Sequence, residues 1–531
     1  MKLPERPNLD HLKKQAKELL RSFESGEPAA LARFQAMFPV AANKESAAVS
    51  EMGLRLHDAQ SCLAREYGFA SWADVRAEVE WRSAQLDGQA RMRYWLALVY
   101  GGNMFPGHFA ARPRMALRLL DATPGLVGAD PYLACAICDE TAVGRAIASD
   151  PKWVNRPSAS LKLPPLVALT MSSIAGQPEM RPHAHRCLRL LLDAGADPNQ
   201  SWKGEHGPLS ALYGAAGCNH DPELTRMLLA AGANPNDGES LYHSVETHDL
   251  TCTRLLLEAG ARVEDSNALK HLLDREDLDG LRLILPYARE VDGATFLWAI
   301  RRRRSVEAIR MLLDAGANPR ARTKYGLSAF AMAMRYGLPD AAELIASAGG
   351  AEEISEEEQF VAACARADGE EARRIQARRP DLPGALPQVL LQQLPELAEV
   401  GHKAGVEVMV ELGWPLEVRG GDWGGTALNM AVFHGNVPLV RFLLEHGGCW
   451  TEGHNFGDNV CGTLSYSSCN NNPEYEWLAI AKLLVQHRMP GAEPIEDVSD
   501  PRRAECVRIN GKIKRFSEDV TDFLLSVGKC G

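Results

Sequence analysis

Apolar residues recur along this chain in short helical runs that close on a glycine or alanine, and the interval from an opening residue to its closing residue is constant. Leu241 leads to Gly260, Leu269 to Ala288, Leu297 to Gly316, Phe330 to Gly349 and Leu428 to Gly447, each nineteen residues apart. This interval predicts pairs of helices stacked side by side, because one helical hairpin cannot bury its apolar face alone. A Leu-Leu pair ends the second helix on its buried side, as at Leu191-Leu192, Leu228-Leu229, Leu312-Leu313 and Leu443-Leu444. The glycine that follows takes the left-handed backbone that ends a helix. Proline stands beyond it at 198, 235 and 319, where the helix must not continue. Thr426 and Ser328 precede their apolar runs and are placed to cap them by accepting a backbone N–H.

The stretch from Asp422 to Gly448 is the fullest copy. It reads Gly424, Thr426, Ala427, Leu428, Asn429 and Ala431, then Gly435 and Asn436 at a turn, then Val440, Leu443, Leu444 and Gly447. This pattern resembles the ankyrin repeat family, which writes Gly-x-Thr-Pro-Leu-His-x-Ala; here Ala427 replaces Pro and Asn429 replaces His. A second copy runs through Gly326, Ser328, Ala329, Phe330, Ala331 and Ala333. The resemblance implies an all-α solenoid of stacked helical hairpins that binds a protein through projecting hairpins and the inner, concave face. An effector exported by a bacterium into a host cell would use the same surface and is the alternative.

Organisation follows from where the pattern holds. Residues 1–88 read as an N-terminal helical segment, with helices expected at 8–24, 28–37, 56–67 and 71–85, serving as a cap over the apolar end of the stack. The run from His57 to Trp72 resembles a segment that precedes ankyrin arrays in bacterial proteins. An array is expected over 91–380, degenerate at first, and a second sub-array over 398–490. The three prolines of 381–397 mark a possible hinge between them. Residues 491–531 read as a polar connection and a closing helix through Val520, Phe523 and Leu524. Glu352, Glu353 and Glu356 to Glu358 stand at a helix start, where the dipole favours acids.

The connections between helix pairs differ in length. Those closing at Gly232, Gly260 and Ala288 leave nine residues before the next opening, whereas those after Gly195, Gly316, Gly413 and Gly447 leave fourteen to seventeen. In the family the longer connection projects as a hairpin that meets partners. The aromatic and charged residues there are therefore the candidate partner-binding set: Trp202, Lys203, His206 and Tyr213 in one zone, and Trp414, Arg419, Asp422, Trp423, Phe433, Trp450, His454, Phe456, Asp458 and Tyr466 in another. Aromatic side chains and Arg dominate interface energetics. Trp423 and Trp450 are expected to be exposed, and Trp414 is divided between exposure and packing.

Charge narrows the partner class. The formal charge of −11 argues against general affinity for nucleic acid or anionic membrane. Arg301 to Arg304 could neutralise phosphates, but the nineteen-residue frame places them at a solvated turn between two helices. No stretch approaches the length of a membrane helix and the start has no leader pattern, so a cytosolic protein, monomeric, is expected. Cys135 and Cys138 form a lone Cys-x-x-Cys without a second pair, and Cys449, Cys461, Cys469, His446 and His454 match no familiar metal spacing. No metal, cofactor or catalytic site is expected, since no phosphate loop, nucleophile elbow or zinc-protease motif occurs; an unrecognised catalytic N-terminal segment is the remote alternative.

Overall fold

The computed structural model describes residues 3–4, 6–38, 41, 44, 46–83, 88–101, 104, 111–123, 125–204, 207–472, 475–495 and 506–528. The chain is mostly helical and divides by packing into two compact units, Met1–Ala268 and Leu269–Gly531.

In the first unit, helices Leu9–Glu24, Pro28–Met37 and Leu56–Glu66 pack together around Leu19, Phe23, Phe34 and Leu63. The Phe23 and Phe34 rings meet edge to face at 5.1 Å, and Arg33 grips Glu66 through two bonds of 2.7 Å. The fourth expected helix runs Trp72–Ser83. Helix pairs follow in regular order: Pro131–Ala136 with Glu140–Ser149, Pro165–Thr170 with Arg181–Asp193, Ala211–Tyr213 with Pro222–Ala230, and Ser240–Ser244 with Thr251–Glu258. The first helix of each pair packs on the next first helix, and the second on the next second, from Pro131 to Glu258.

The second unit repeats this arrangement with one change of step. First helices Gly293–Arg301, Ala329–Arg335 and Glu356–Ala365 pack in succession, and so do Gln393–Glu399, Ala427–Phe433 and Val460–Asn470. Between the two runs, Glu356–Ala365 packs instead on Lys403–Glu411, the second helix of the following pair. Gln393–Glu399 is thereby drawn to Ala329–Arg335, where the Tyr336 hydroxyl donates to Glu396 Oε2 at 2.6 Å. Residues 381–397, expected as a hinge, hold helices Gln388–Leu391 and Gln393–Glu399 and bury Leu382, Leu386, Leu390, Leu394 and Leu397.

The local devices behave as the sequence indicates. Thr426 Oγ1 accepts from the Asn429 N–H at 3.4 Å and Ser328 Oγ from Ala331 at 3.1 Å. Gly260 and Gly447 close their helices at φ of 93° and 102°, a region that L side chains enter at a cost. Ser355 and Glu358 form a reciprocal cap that accounts for the acidic run. Each of the four long connections is pinned by antiparallel pairing: Ser201–Lys203 with Pro208–Ser210, and bridges Arg322 to Ser328, Gly420 to Gly425 and Gly453 to Asn459.

The all-α expectation needs correction at the C-terminal end. Glu493–Pro494, Cys506–Ile509 and Lys512–Arg515 form a three-stranded antiparallel sheet before helix Glu518–Gly528. Val507 and Ile509 alternate into the core, and Asn510-Gly511 turns the chain with positive φ at both residues, the backbone a two-residue β-turn requires. Among the described residues, no helix is long and apolar enough to cross a membrane.

Candidate functional site

Two neighbouring connections of the second unit, with the helices that follow them, carry a continuous run of rings. The bridge Gly420 to Gly425 presents Trp423 just before the capped helix Ala427–Phe433, and the bridge Gly453 to Asn459 presents His454 and Phe456 just before Val460–Asn470. The connections interlock, since the Asn455 N–H donates to Trp423 O at 3.3 Å and the Asn455 side chain lies against Gly424. Asn429 ties the same two repeats from within. Its amide donates to Glu452 O at 3.1 Å and its carbonyl accepts from Thr463 Oγ1 at 2.7 Å.

On this base the rings touch in sequence. Tyr466 stacks on Phe433 at 6.3 Å and 11°, Phe433 meets Trp423 at 5.6 Å, Trp423 meets His454 edge to face at 5.1 Å, and His454 meets Phe456 at 5.9 Å. The ends are open: Phe456 is 80% exposed and Tyr466 58%. Trp423 and Phe433 are half-buried between them and His454 is buried. Burial holds His454 below the usual imidazole range; Asp458 opposes this, while Arg419 and Lys514 add to it. Asp458 is ion-paired with Lys514 and lies 3.9 Å from Lys512. The Arg419 guanidinium rests against Gly453, where a Cβ would collide with it.

A second cluster lies beside the first. Arg301 ends its helix and reaches three carboxylates: Glu396 at 3.0 Å, Glu399 at 3.3 Å and Asp422 at 2.5 Å. Arg302 pairs with the same Asp422 at 3.2 Å and with Asp274 at 3.3 Å, its guanidinium 4.2 Å over the Trp298 ring. Arg304 pairs with Glu276 at 3.5 Å. The solvated turn expected for these arginines is corrected: they are half-buried and mostly paired, because the changed helix step brings Glu396 and Asp422 of later repeats onto Arg301 and Arg302, while Asp274 and Glu276 of the preceding repeat meet Arg302 and Arg304. Burial works against the Arg301 charge, yet Glu396, Tyr336 and Asp422 outweigh it and hold the guanidinium above its usual range.

Four carboxylates sharing two guanidinium groups cannot all be ionised cheaply. Glu399 takes the consequence: burial, then the Asp422 charge, push it up to about 7 against the pull of Arg301. Between the ordinary carboxylate range and that value the folded chain holds a proton the unfolded chain has released, so stability from this group falls as pH rises through that window. Glu399→Gln is expected to flatten the unfolding midpoint between about pH 5 and 7 relative to the natural chain. Parallel profiles for the two proteins would count against a buried, proton-sharing Glu399.

The other expected site residues divide. Trp414 is core: 3% exposed, it stacks on Phe360 at 5.7 Å and donates Nε1–H to Leu391 O at 3.0 Å. Trp423 and Trp450 are half-buried, not exposed as expected, Trp423 because the adjoining connection covers it. Tyr213 is buried against His243, and His454 is buried within the ladder between Trp423 and Phe456, so neither is an open contact. In the first unit Trp202 is half-buried, its Nε1–H bonded to Leu161 O at 3.1 Å; Lys203 is exposed. His206 lies outside the described residues. Cys135, Cys138 and Cys461 are buried free thiols, the last pushed up to about 12 by burial. The sequence reading missed Trp298. It directly follows buried Leu297, and that helical position, turned off the core face, was the available signal.

Residues 394–444 match the family described as "Ankyrin repeats (many copies)". Among solved structures, the human ASB11 ankyrin repeat domain is 17% identical over 42% of this chain and 99% of that one, with a TM-score of 0.22. An ankyrin repeat domain from Acinetobacter baumannii AYE is 22% identical over 41% of this chain and 97% of that one, with a TM-score of 0.25. A search of curated proteins returns no match.

Proposed function

Starting from the membership of this chain in the ankyrin repeat family, which residues 394–444 carry, we propose that it is a non-catalytic scaffold that binds a protein partner through the ring ladder of its second unit. The repeats would extend beyond the matched segment within its own unit, and in the first unit the bundle of residues 9–66 would serve as a cap on the helix pairs that follow it.

One observation carries the binding proposal. Phe456 and Tyr466 stand open at the two ends of a ladder whose middle rings are already fixed by packing. Rings held in place lose little freedom on binding, so their apolar area contributes to affinity nearly undiminished. The inner side near Arg301 supports a narrower contact than the whole concave face, because Glu396, Glu399 and Asp422 are engaged by the chain's own arginines. The same engagement argues for binding over catalysis. The described cysteines are free thiols, mostly buried, which supports work in a reducing compartment such as the cytosol.

The test is affinity capture with the full chain against Phe456→Ala, Tyr466→Ala. Both rings are exposed, so the melt should not move. A directly bound protein is expected to weaken by roughly 2 kcal/mol or more on losing two anchoring rings. Equal retention by the two baits would reject the ladder as the binding surface.

A further inference from the structure

Cations flank the ladder although the formal charge of the chain as a whole is −11. The charged groups acting on the His454 ring are Arg419, Lys514 and Asp458. Lys514, little exposed, is taken up by Asp458. Two cations are left facing solvent on the two arms of the hairpin that carries Phe456. Arg419 lies against Gly453 on one arm, exposed and without an ion pair among the described residues. Lys512 lies 3.9 Å from the already engaged Asp458 on the other, and its side chain is 60% exposed. Of the nearby acids, exposed Glu417, two residues from Arg419, opposes them in part. Glu452 is half-buried and accepts from Thr426 Oγ1 and, at 2.7 Å, from the Cys449 N–H, with Glu417 as its electrostatic neighbour.

We infer that this surface takes an acidic peptide segment bearing one large apolar side chain, which seats against the open rings while its Asp or Glu residues meet Arg419 and Lys512. The inference rests on the ladder being the protein-binding surface. Arg419 presents a planar fork that matches a carboxylate with two hydrogen bonds, and Lys512 adds a point charge. Because both face water, their contribution is to encounter rate and to rejection of basic competitors more than to raw affinity. A nucleic acid strand would also answer to cations beside aromatics, but it needs free ring faces on which bases stack. Here the open rings, Phe456 and Tyr466, stand at opposite ends of the ladder, and Trp423 between them is enclosed by Phe433 and His454, so successive bases would find no continuous platform.

Selection of a displayed library of random peptides on the full chain tests this. Enriched peptides should place Asp or Glu beside Leu, Phe or Trp, and their fluorescence anisotropy with the natural chain should weaken with added salt. Arg419→Glu with Lys512→Glu should reduce affinity about tenfold, and the corresponding Gln pair should lie between. Enrichment without acidic preference, or affinity unmoved by charge reversal but abolished by Phe456→Ala, Tyr466→Ala, overturns the acidic-peptide assignment and leaves the ladder as a binding surface. Peptides insensitive to both pairs, or no ladder-dependent peptide at all, overturn the two together. Displacement of the peptides by a single-stranded oligonucleotide of matched length would overturn it in favour of nucleic acid.

Discussion

Arg301→Ala is expected to lower stability by about 3 to 5 kcal/mol, the range for removing one partner of a buried ion pair. The guanidinium is 21% exposed and serves Glu396, Glu399 and Asp422 together. Its loss leaves those acids close to one another with only Arg302 to share, so the penalty is repulsion and desolvation together. Replacing both sides should tell a different story. Arg301→Met with Glu396→Gln and Glu399→Gln removes the unpaired Glu396 charge and the titrating Glu399 carboxyl together, and should recover much of the loss, because well-packed neutral groups do not need the pair. The measurement is urea unfolding of the single and combined variants near neutral pH. A single-variant loss below about 1 kcal/mol, the size of a surface pair, would place Arg301 in solvent after all.

That cluster also marks where the sequence stopped being informative. The helix pairs were legible because their determinants are local: a cap, an apolar stripe, a left-handed glycine and a proline lie within one repeat. Arg301 meets Glu396 and Asp422, 95 and 121 residues away, only because Glu356–Ala365 packs on the second helix of the next pair. No interval in the chain announces that step. The ring ladder was half legible. The long connections pointed to Trp423, Phe433, His454, Phe456 and Tyr466, but which rings stay open depends on the interlock of Asn455 with Gly424 and Trp423. The C-terminal strands, by contrast, were readable and passed over. Asn510-Gly511 between alternating Val507, Ile509 and Ile513 is a strong short-range signal for a β-hairpin.

Trp414→Ala is the companion case, expected to cost about 3 to 5 kcal/mol while leaving binding at the ladder intact. Four repeats fold an alanine after the closing glycine back under the helix: Ala196, Ala233, Ala261 and Ala317 are all buried there, each N–H returning to the carbonyl five residues earlier, as Trp414 does to Met409 at 3.1 Å. The backbone at this position therefore accepts Ala without strain, and the whole penalty comes from the ring. Trp414, unlike these alanines, fills the site with a large side chain, stacked on Phe360 and hydrogen-bonded to Leu391, in the place where the helix step changes. Its removal leaves a cavity between Glu356–Ala365 and the end of Gln388–Leu391. Thermal unfolding and the ladder-directed peptides, measured on one preparation, separate the roles. A large fall in midpoint with unchanged peptide affinity identifies a core ring, whereas an unchanged midpoint with lost affinity would return Trp414 to the interface and undo the assignment of the ladder's boundary.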